Sequence, residues 1–217
     1  MPRIPYKTKD GKRVCGVTTI IENLGWNKNQ LMYWAWNEGI EGRNYKDTSG
    51  RMATAGTIAH YLIECDIKKR KPEISSYEKS LIKLAKRSFK NYLEWKGLVH
   101  FKPYSFEETE IHLVSEKYRC GGTPDRIADI NEKLSIYDWK TSNGVYPEMI
   151  IQLEAYRHLW DEIHPDNKIT GGLHLLRVGK TDASFHYHHW QSVPEAWKIY
   201  KMLLKIHKSH KILKGAI

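Results

Sequence analysis

Three residues carry the strongest chemical signal in this 217-residue chain: Asp125, Asp138 and Lys140. Asp125 closes a Gly121-Gly122-Thr123-Pro124 turn, and Asp138 and Lys140 flank Trp139 at the end of an apolar run. Residues 126–130 and 134–138 both read as short strands, with Asn131, Glu132 and Lys133 as the turn between them. With that turn centred on Asn131 and Glu132, Ile130 pairs with Lys133, and stepping outward brings Asp125 opposite Asp138. Side chains alternate along a strand, so Asp138 and Lys140 share one face and Trp139 takes the other. Two carboxylates and an ammonium therefore meet at the open end of a hairpin. Carboxylates this close raise one pKa unless a cation sits between them. With oxygen ligands, that cation is Mg²⁺ or Mn²⁺. Such an ion lowers the pKa of its bound water and stabilises charge on phosphoryl oxygens. A lysine on the same face can orient the attacking water or neutralise a pentacovalent transition state. This is the equipment for phosphodiester hydrolysis. Asp-x-Lys alone is short and common, however, and taken by itself fits a turn cap beside a surface ion pair better, so the neighbours must decide.

Bulk composition narrows the choice. Lys and Arg number 35 against 25 Asp and Glu, a net charge of +10, and a domain this basic is expected to meet a polyanion, nucleic acid first. Hydrophobic residues at 41% and aromatics at 12% are those of a folded globular protein, and 217 residues are expected to form one domain. Cys15, Cys65 and Cys120 are far apart and odd in number, without zinc or disulfide spacing. A reducing compartment suits them. No apolar run approaches the ~20 residues of a membrane span, and the basic start of the chain lacks a secretory core. The expectation is a cytoplasmic protein with no membrane partner. Protein partners cannot be read from the sequence.

The elements that must position these residues follow from periodicity. Residues 27–38 read as a helix whose Leu31, Met32, Trp34, Ala35 and Trp36 are expected in the core. If exposed instead, Trp26, Tyr33, Trp34 and Trp36 are of the type that stacks on unpaired bases. A polar stretch at 38–50 reads as loop, and 53–70 as a helix on which His60 and Glu64 point off one side. A third helix over 73–95 places Lys79, Lys83, Lys86, Arg87 and Lys90 away from its apolar side, a face able to line a phosphate track. Residues 101–114 read as extended, with Glu108, Glu110 and His112 alternating against Thr109, Ile111 and Leu113. After Tyr146-Pro147 comes a helix to about Ile163, on which Gln152 and Tyr156 project from the same face. Residues 169–178 and 183–190 form a second hairpin whose histidines read as strand surface, and Pro194 opens a last helix. Ile199, Met202, Leu203 and Ile206 are expected as its buried stripe. The order predicts an α/β fold, one mixed β-sheet flanked by helices.

Taken together, Gly121-Gly122-Thr123-Pro124-Asp125, Asp138-Trp139-Lys140-Thr141 and Gln152-Leu153-Glu154-Ala155-Tyr156 resemble the PD-(D/E)XK nuclease superfamily. Within it the pattern looks like the RecB-type exonuclease branch, which includes small phage exonucleases and mitochondrial genome maintenance exonucleases. That branch carries an upstream Gly-Thr-x-x-His, here Gly56-Thr57-Ile58-Ala59-His60. Four motifs in order are far more specific than any one. The resemblance implies a restriction-endonuclease-like single domain over 1–217, with a helical N-terminal part (about 27–95) and a catalytic core (about 100–217).

Residue by residue, it implies that His60, Asp125 and Asp138 ligate Mg²⁺ or Mn²⁺, with the Trp139 carbonyl contributing. It implies Lys140 as the catalytic lysine, and Gln152 and Tyr156 as the Gln-x-x-x-Tyr pair that supports the site and contacts DNA. Glu110 falls where the branch often has an acid, and Glu64 is read as support for His60. Three scattered cysteines cannot supply the four that hold an iron–sulfur cluster in some relatives, so no cluster is expected. There is no P-loop, and helicase activity is not expected. The function implied is a metal-dependent DNA exonuclease acting on single strands or DNA ends, in phage DNA processing or recombination. A nucleic-acid-binding protein on a retired nuclease fold and a structure-specific endonuclease are the competing readings.

Overall fold

In chain order the computed structural model runs β1 (Cys15–Gly16), α1 (Val17–Ile21), α2 (Lys28–Ile40), α3 (Tyr45–Ile67), α4 (Lys79–Leu98), β2 (Glu107–Thr109), β3 (Leu113–Ser115), β4 (Cys120–Gly122), β5 (Arg126–Ile130), β6 (Lys133–Lys140), α5 (Pro147–Ile163), β7 (Gly172–Val178), β8 (Phe185–Trp190) and α6 (Pro194–Lys214). The structure describes residues 5–99, 107–130 and 132–216. Asn131, expected in the hairpin turn, and residues 101–106 of the expected extended segment lie outside them.

The strand that carries Asp138 and Lys140 is the centre of a five-stranded sheet of order β2-β5-β6-β7-β8. β6 pairs antiparallel with β5 and parallel with β7, and α5 makes the crossover that a parallel pair requires. With neighbours on both edges and helices on both faces, β6 is buried from Leu134 to Trp139. This is why Leu134-Ser135-Ile136-Tyr137-Asp138-Trp139 reads as nearly continuous apolar sequence interrupted by one acid. Ile136 and Leu134 face a core shared with α1, α5 and α6, including Ile151, Leu159, Tyr200 and Leu203. Tyr137 and Trp139 face the other way, against Tyr92 and Trp95 of α4 and Ile63 of α3. Alternation therefore puts Asp138 and Lys140 on the α5 side.

The hairpin register is the expected one: Ile130 pairs with Lys133 and Arg126 with Tyr137, so that the next outward step lies between Asp125 and Asp138. A second, three-stranded sheet of order β1-β4-β3 accompanies the mixed sheet. The two diverge because the 101–114 segment is not one strand. Between β2 and β3, Glu110 adopts a left-handed φ of 56°, which breaks the alternation and redirects the chain. The expected loop at 38–50 is also shorter. Asn44 caps α3 by accepting the Lys46 N–H at 3.0 Å, so that the helix starts at Tyr45.

Two helices show faces other than those expected. Met202 and Ile206 of α6 are exposed, and its buried stripe is Ala196, Trp197, Tyr200, Leu203 and Leu204. The face of Ala196, Tyr200, Leu203 and Leu204, with Trp197 beside it, offers two large rings to the core, and these outweigh the aliphatic ladder from Ile199. On α2, Leu31, Met32, Tyr33 and Trp36 are exposed, and Glu38 is the helix's one buried residue. Among the described residues no helix is long and apolar enough to cross a membrane.

The paired glycines before Asp125 owe their identity to close packing. A Cβ at Gly121 would collide with the ring of Tyr6, and one at Gly122 with the ring of Tyr156. Gly122→Ala is therefore expected to destabilise the protein by about 1–3 kcal/mol, the usual cost of overpacking. Tyr156→Ala, which vacates that space, should make the second change nearly neutral. Urea denaturation of the two single variants and the double variant checks this; additive losses would place the clash elsewhere.

Candidate active site

α3 can approach the end of β6 because residue 56 is glycine: a Cβ there would lie 2.8 Å from Thr141 Oγ1. One helical turn later His60 Nδ1 lies 3.0 Å from Asp125 Oδ1. With the carboxylate ionised, the ring N–H is the donor. Asp125 Oδ2 accepts the Trp139 backbone N–H at 2.7 Å. The strand thus holds the acid of the preceding turn through its main chain, while the Trp139 ring packs on the opposite face near Tyr92 and Trp95. Only the peptide groups of Trp139 reach this side of the sheet.

On that side Lys140 Nζ forms an ion pair with Asp138 Oδ2 at 2.5 Å and donates to Gln152 Oε1 at 2.9 Å. Gln152 Nε2 in turn donates to Tyr156 Oη at 2.7 Å. Gln152 and Tyr156 stand one turn apart on α5, so a single helix face fixes the direction of the amide and, through it, the position of the ammonium. The side chains grade from floor to mouth: Asp138 is 4% exposed, Asp125 12%, Lys140 20% and His60 29%. Tyr156 is buried, with its ring against Gly122. It braces Gln152 from within the core.

The charges are arranged against the cost of burial. Burial pushes the Asp138 carboxyl up, the negative charge of Asp125 adds to it, and Lys140 offsets part, leaving a pKa of about 6. Burial would raise Asp125 as well, but the His60 charge and hydrogen bond, with Lys140 and the Trp139 N–H, hold it below the ordinary value. Burial lowers His60, yet its pairing with Asp125 outweighs that and leaves the imidazolium favoured. Glu110 joins the same neighbourhood: its N–H donates to the Asp125 carbonyl at 3.3 Å, and although the residue is exposed at the surface, partial desolvation by its neighbours and the Asp125 charge shift its carboxyl upward. Glu64, read from sequence as support for His60, instead pairs with Lys68 at 2.7 Å and Arg70 at 2.8 Å.

Two residues passed over in the sequence brace the strand end. Lys180, in the β7–β8 turn, donates to Thr141 Oγ1 and to the Met52 carbonyl, both at 3.2 Å. Arg177, buried on β7, donates to the carbonyls of Ser142 and Asn143 at 2.8 and 3.2 Å. Together they fix the segment that follows Lys140. A lysine in a polar turn and an arginine in an apolar strand carry no signal of this role in the sequence, because it depends on the parallel pairing of β6 with β7.

Two carboxylates and a peptide carbonyl are the ligand types of a hard divalent cation, and the imidazole of His60 is a softer donor beside them. Among the described residues no three His, Cys, Asp or Glu side chains already converge as a metal site. The oxygens such an ion would take are held by His60, Trp139 and Lys140. The donor set nonetheless fits the ion. Apart from its ion pair, Asp138 Oδ2 is buried without a hydrogen-bond partner, and its raised pKa marks a carboxylate short of positive charge.

Comparison with known proteins gives a family match over residues 38–213, described as the PD-(D/E)XK nuclease superfamily. No curated protein matches. Among solved structures, the crystal structure of SSO0001 aligns at 15% identity over 73% of this chain and 74% of that one, with a TM-score of 0.34.

The raised pKa of Asp138 has a sign that can be measured. Its proton is held more tightly in the folded protein, so burying the charge costs nothing below the ordinary value of 3.8 and the full amount above about 6. His60 acts in the same direction, since the stability of its pairing with Asp125 is present at low pH and lost as pH rises through its raised pKa. The metal-free protein should melt at progressively lower temperature from about pH 5 to about pH 8. At the upper end Asp138→Asn should stabilise it by roughly 1–3 kcal/mol. Thermal melts in chelator check both; a variant no more stable than wild type at the upper pH would mean that the buried charge is already compensated.

Proposed function

The chain belongs to the PD-(D/E)XK nuclease superfamily, and on that premise we propose that it is a divalent-metal-dependent deoxyribonuclease acting as an exonuclease on single strands or DNA ends. The observation that carries this reading is the Asp138–Lys140–Gln152–Tyr156 chain beside the His60–Asp125 pair. Asp125, Asp138, His60 and the Trp139 carbonyl would hold Mg²⁺ or Mn²⁺. A bound ion of this kind lowers the pKa of its water and offsets charge on the phosphoryl oxygens.

The protein's own groups do the rest. Lys140 is anchored by the Gln152 amide oxygen, which leaves its ammonium fixed at the mouth of the acid pair rather than free to sweep solvent. A cation held in place costs no reorganisation as negative charge develops on a phosphate, which is the usual source of such catalysis. His60 and the Trp139 N–H keep Asp125 ionised and oriented. The net charge of +10, with exposed lysines along α4 and α6, supplies attraction for the polyanion. What supports exonuclease action, and a setting in phage DNA processing or recombination, is the four-motif likeness to the RecB-type branch, Gly56 to His60 included.

Lys140→Ala and Asp138→Ala are each expected to lower DNA hydrolysis by about 10²-fold or more, the usual loss for a preorganised charge at a transition state. Chelator should abolish it and Mg²⁺ or Mn²⁺ restore it. The assay uses 5′- and 3′-labelled single and double strands together with a circular single strand. Release of nucleotides from one end only supports the exonuclease reading, and cleavage of the circle would make the enzyme an endonuclease. Tight binding without cleavage in either metal would make it a binding protein on a nuclease fold.

A further inference from the structure

The least explained surface of the protein is α2. Of its apolar residues, Tyr33 is 65% exposed and Trp36 61%, and Trp26, just before the helix, is 54% exposed. Tyr33 and Trp36 lie one turn apart with ring centroids separated by 6.0 Å and planes tilted by 35°, so each presents a free face outward. Trp34 alone among these aromatics turns inward, edge-on to Tyr45 at 6.3 Å. Open apolar faces of this extent on a folded chain mark an interaction site.

The ends of α2 say where that site leads. Asn27, at its start, donates to Glu148 Oε1 at 2.6 Å, in the first turn of α5 and one turn before Gln152. At its end Glu38 accepts from Arg43 at 2.7 and 2.8 Å and from Thr48 at 2.8 Å, which docks α2 on α3, the helix of His60. The helix is therefore suspended between the two elements that flank the acid–lysine site. Its charges balance, Lys28 and Arg43 against Glu38 and Glu41, and both acids are paired. Glu38 is buried under Arg43 and Thr48, and Glu41 pairs with the same arginine, so the exposed face offers the rings, the aliphatic side chains of Leu31, Met32 and Ile40, the amides of Asn29 and Gln30, and Lys28.

We propose that α2 is a stacking platform on which Tyr33, Trp36 and Trp26 hold unpaired bases of a single DNA strand whose backbone continues to the Asp138–Lys140 site. The proposal rests on the nuclease reading for its class of ligand. Aromatic faces stack on any base, so the platform would select single strands over duplex without selecting sequence.

The test is anisotropy of a labelled oligothymidylate in chelator, where binding is read without cleavage. Tyr33→Ala and Trp36→Ala should each weaken binding by roughly 5- to 150-fold, and Trp36→Phe should retain most of it. An oligonucleotide of the same length with abasic sites keeps the phosphates and loses the stack. It should bind wild type about as weakly as the variants bind the intact strand. Because the positions are exposed, the variants should melt as wild type does. Unchanged affinity in the alanine variants, or equal binding of intact and abasic strands by wild type, would overturn the proposal. So would a self-association of wild type that the variants lose while strand affinity stays the same, since α2 would then be an interface between copies. A protein that binds through α2 but cleaves nothing in Mg²⁺ or Mn²⁺ would leave the platform standing and remove the nuclease reading. One that cleaves, with alanine variants binding and cleaving as wild type does, would do the reverse.

Discussion

Asp138 is a carboxylate almost without solvent, a short step across a hairpin from a second carboxylate, in a central strand buried from Leu134 to Trp139. Moving one such charge into the interior costs several kcal/mol even after relaxation. Much of the surrounding structure meets that cost. Lys140 is two residues on, where strand alternation returns it to the same face. Gln152 holds the ammonium there, and Tyr156 holds Gln152. His60 and the Trp139 N–H compensate the second carboxylate. What they leave uncompensated appears as the raised pKa of Asp138. A site that tightens on a divalent ion needs such a deficit, because a fully neutralised pocket would have nothing to offer it.

The backbone arrangements around this site are those that let polar groups approach without side chains in the way. Gly56 lets a helix cross the end of β6, and Gly121 and Gly122 admit two tyrosine rings against the chain before Asp125. Arg177 and Lys180 then tie down the segment after Lys140 from the neighbouring parallel strand. Lys140 is in this way clamped from both directions along the chain: by the sheet before it and by the β7–β8 hairpin behind it. Preorganisation here is a property of main-chain carbonyls and glycines as much as of the charged groups.

How much of this the sequence disclosed depends on how local each feature is. The register of Arg126 to Lys133 follows from one short turn and from alternation, both local, and it agrees residue for residue. The placing of Gln152 and Tyr156 on one face follows from helical period alone. The break at Glu110 does not, because a left-handed φ in a non-glycine residue leaves the alternating pattern of Glu108 to Leu113 intact while bending the chain off the sheet. Nor does the rotation of α6: two apolar ladders run along it, and only the partners contributed by α1 and α5 decide between Tyr200 and Met202. The roles of Arg177 and Lys180 are furthest from reach, since they depend on pairing between strands separated by a whole helix.

α2 is where the two kinds of information conflict most, and the conflict is instructive. An aromatic-rich helix is expected to sit in the core because burying each ring is worth more than any other use of it. Here the sheet already has helices on both faces, α1, α5 and α6 on one and α3 and α4 on the other, so no apolar face remains for α2 to cover. It is held instead by polar contacts at its two ends, Asn27 to Glu148 and Glu38 to Arg43 and Thr48, and both lead to helices that carry the candidate site. A helix fixed at its ends by hydrogen bonds, with the rings of Tyr33 and Trp36 facing solvent, gains little stability from those two rings. Their presence is better accounted for by a ligand than by the fold.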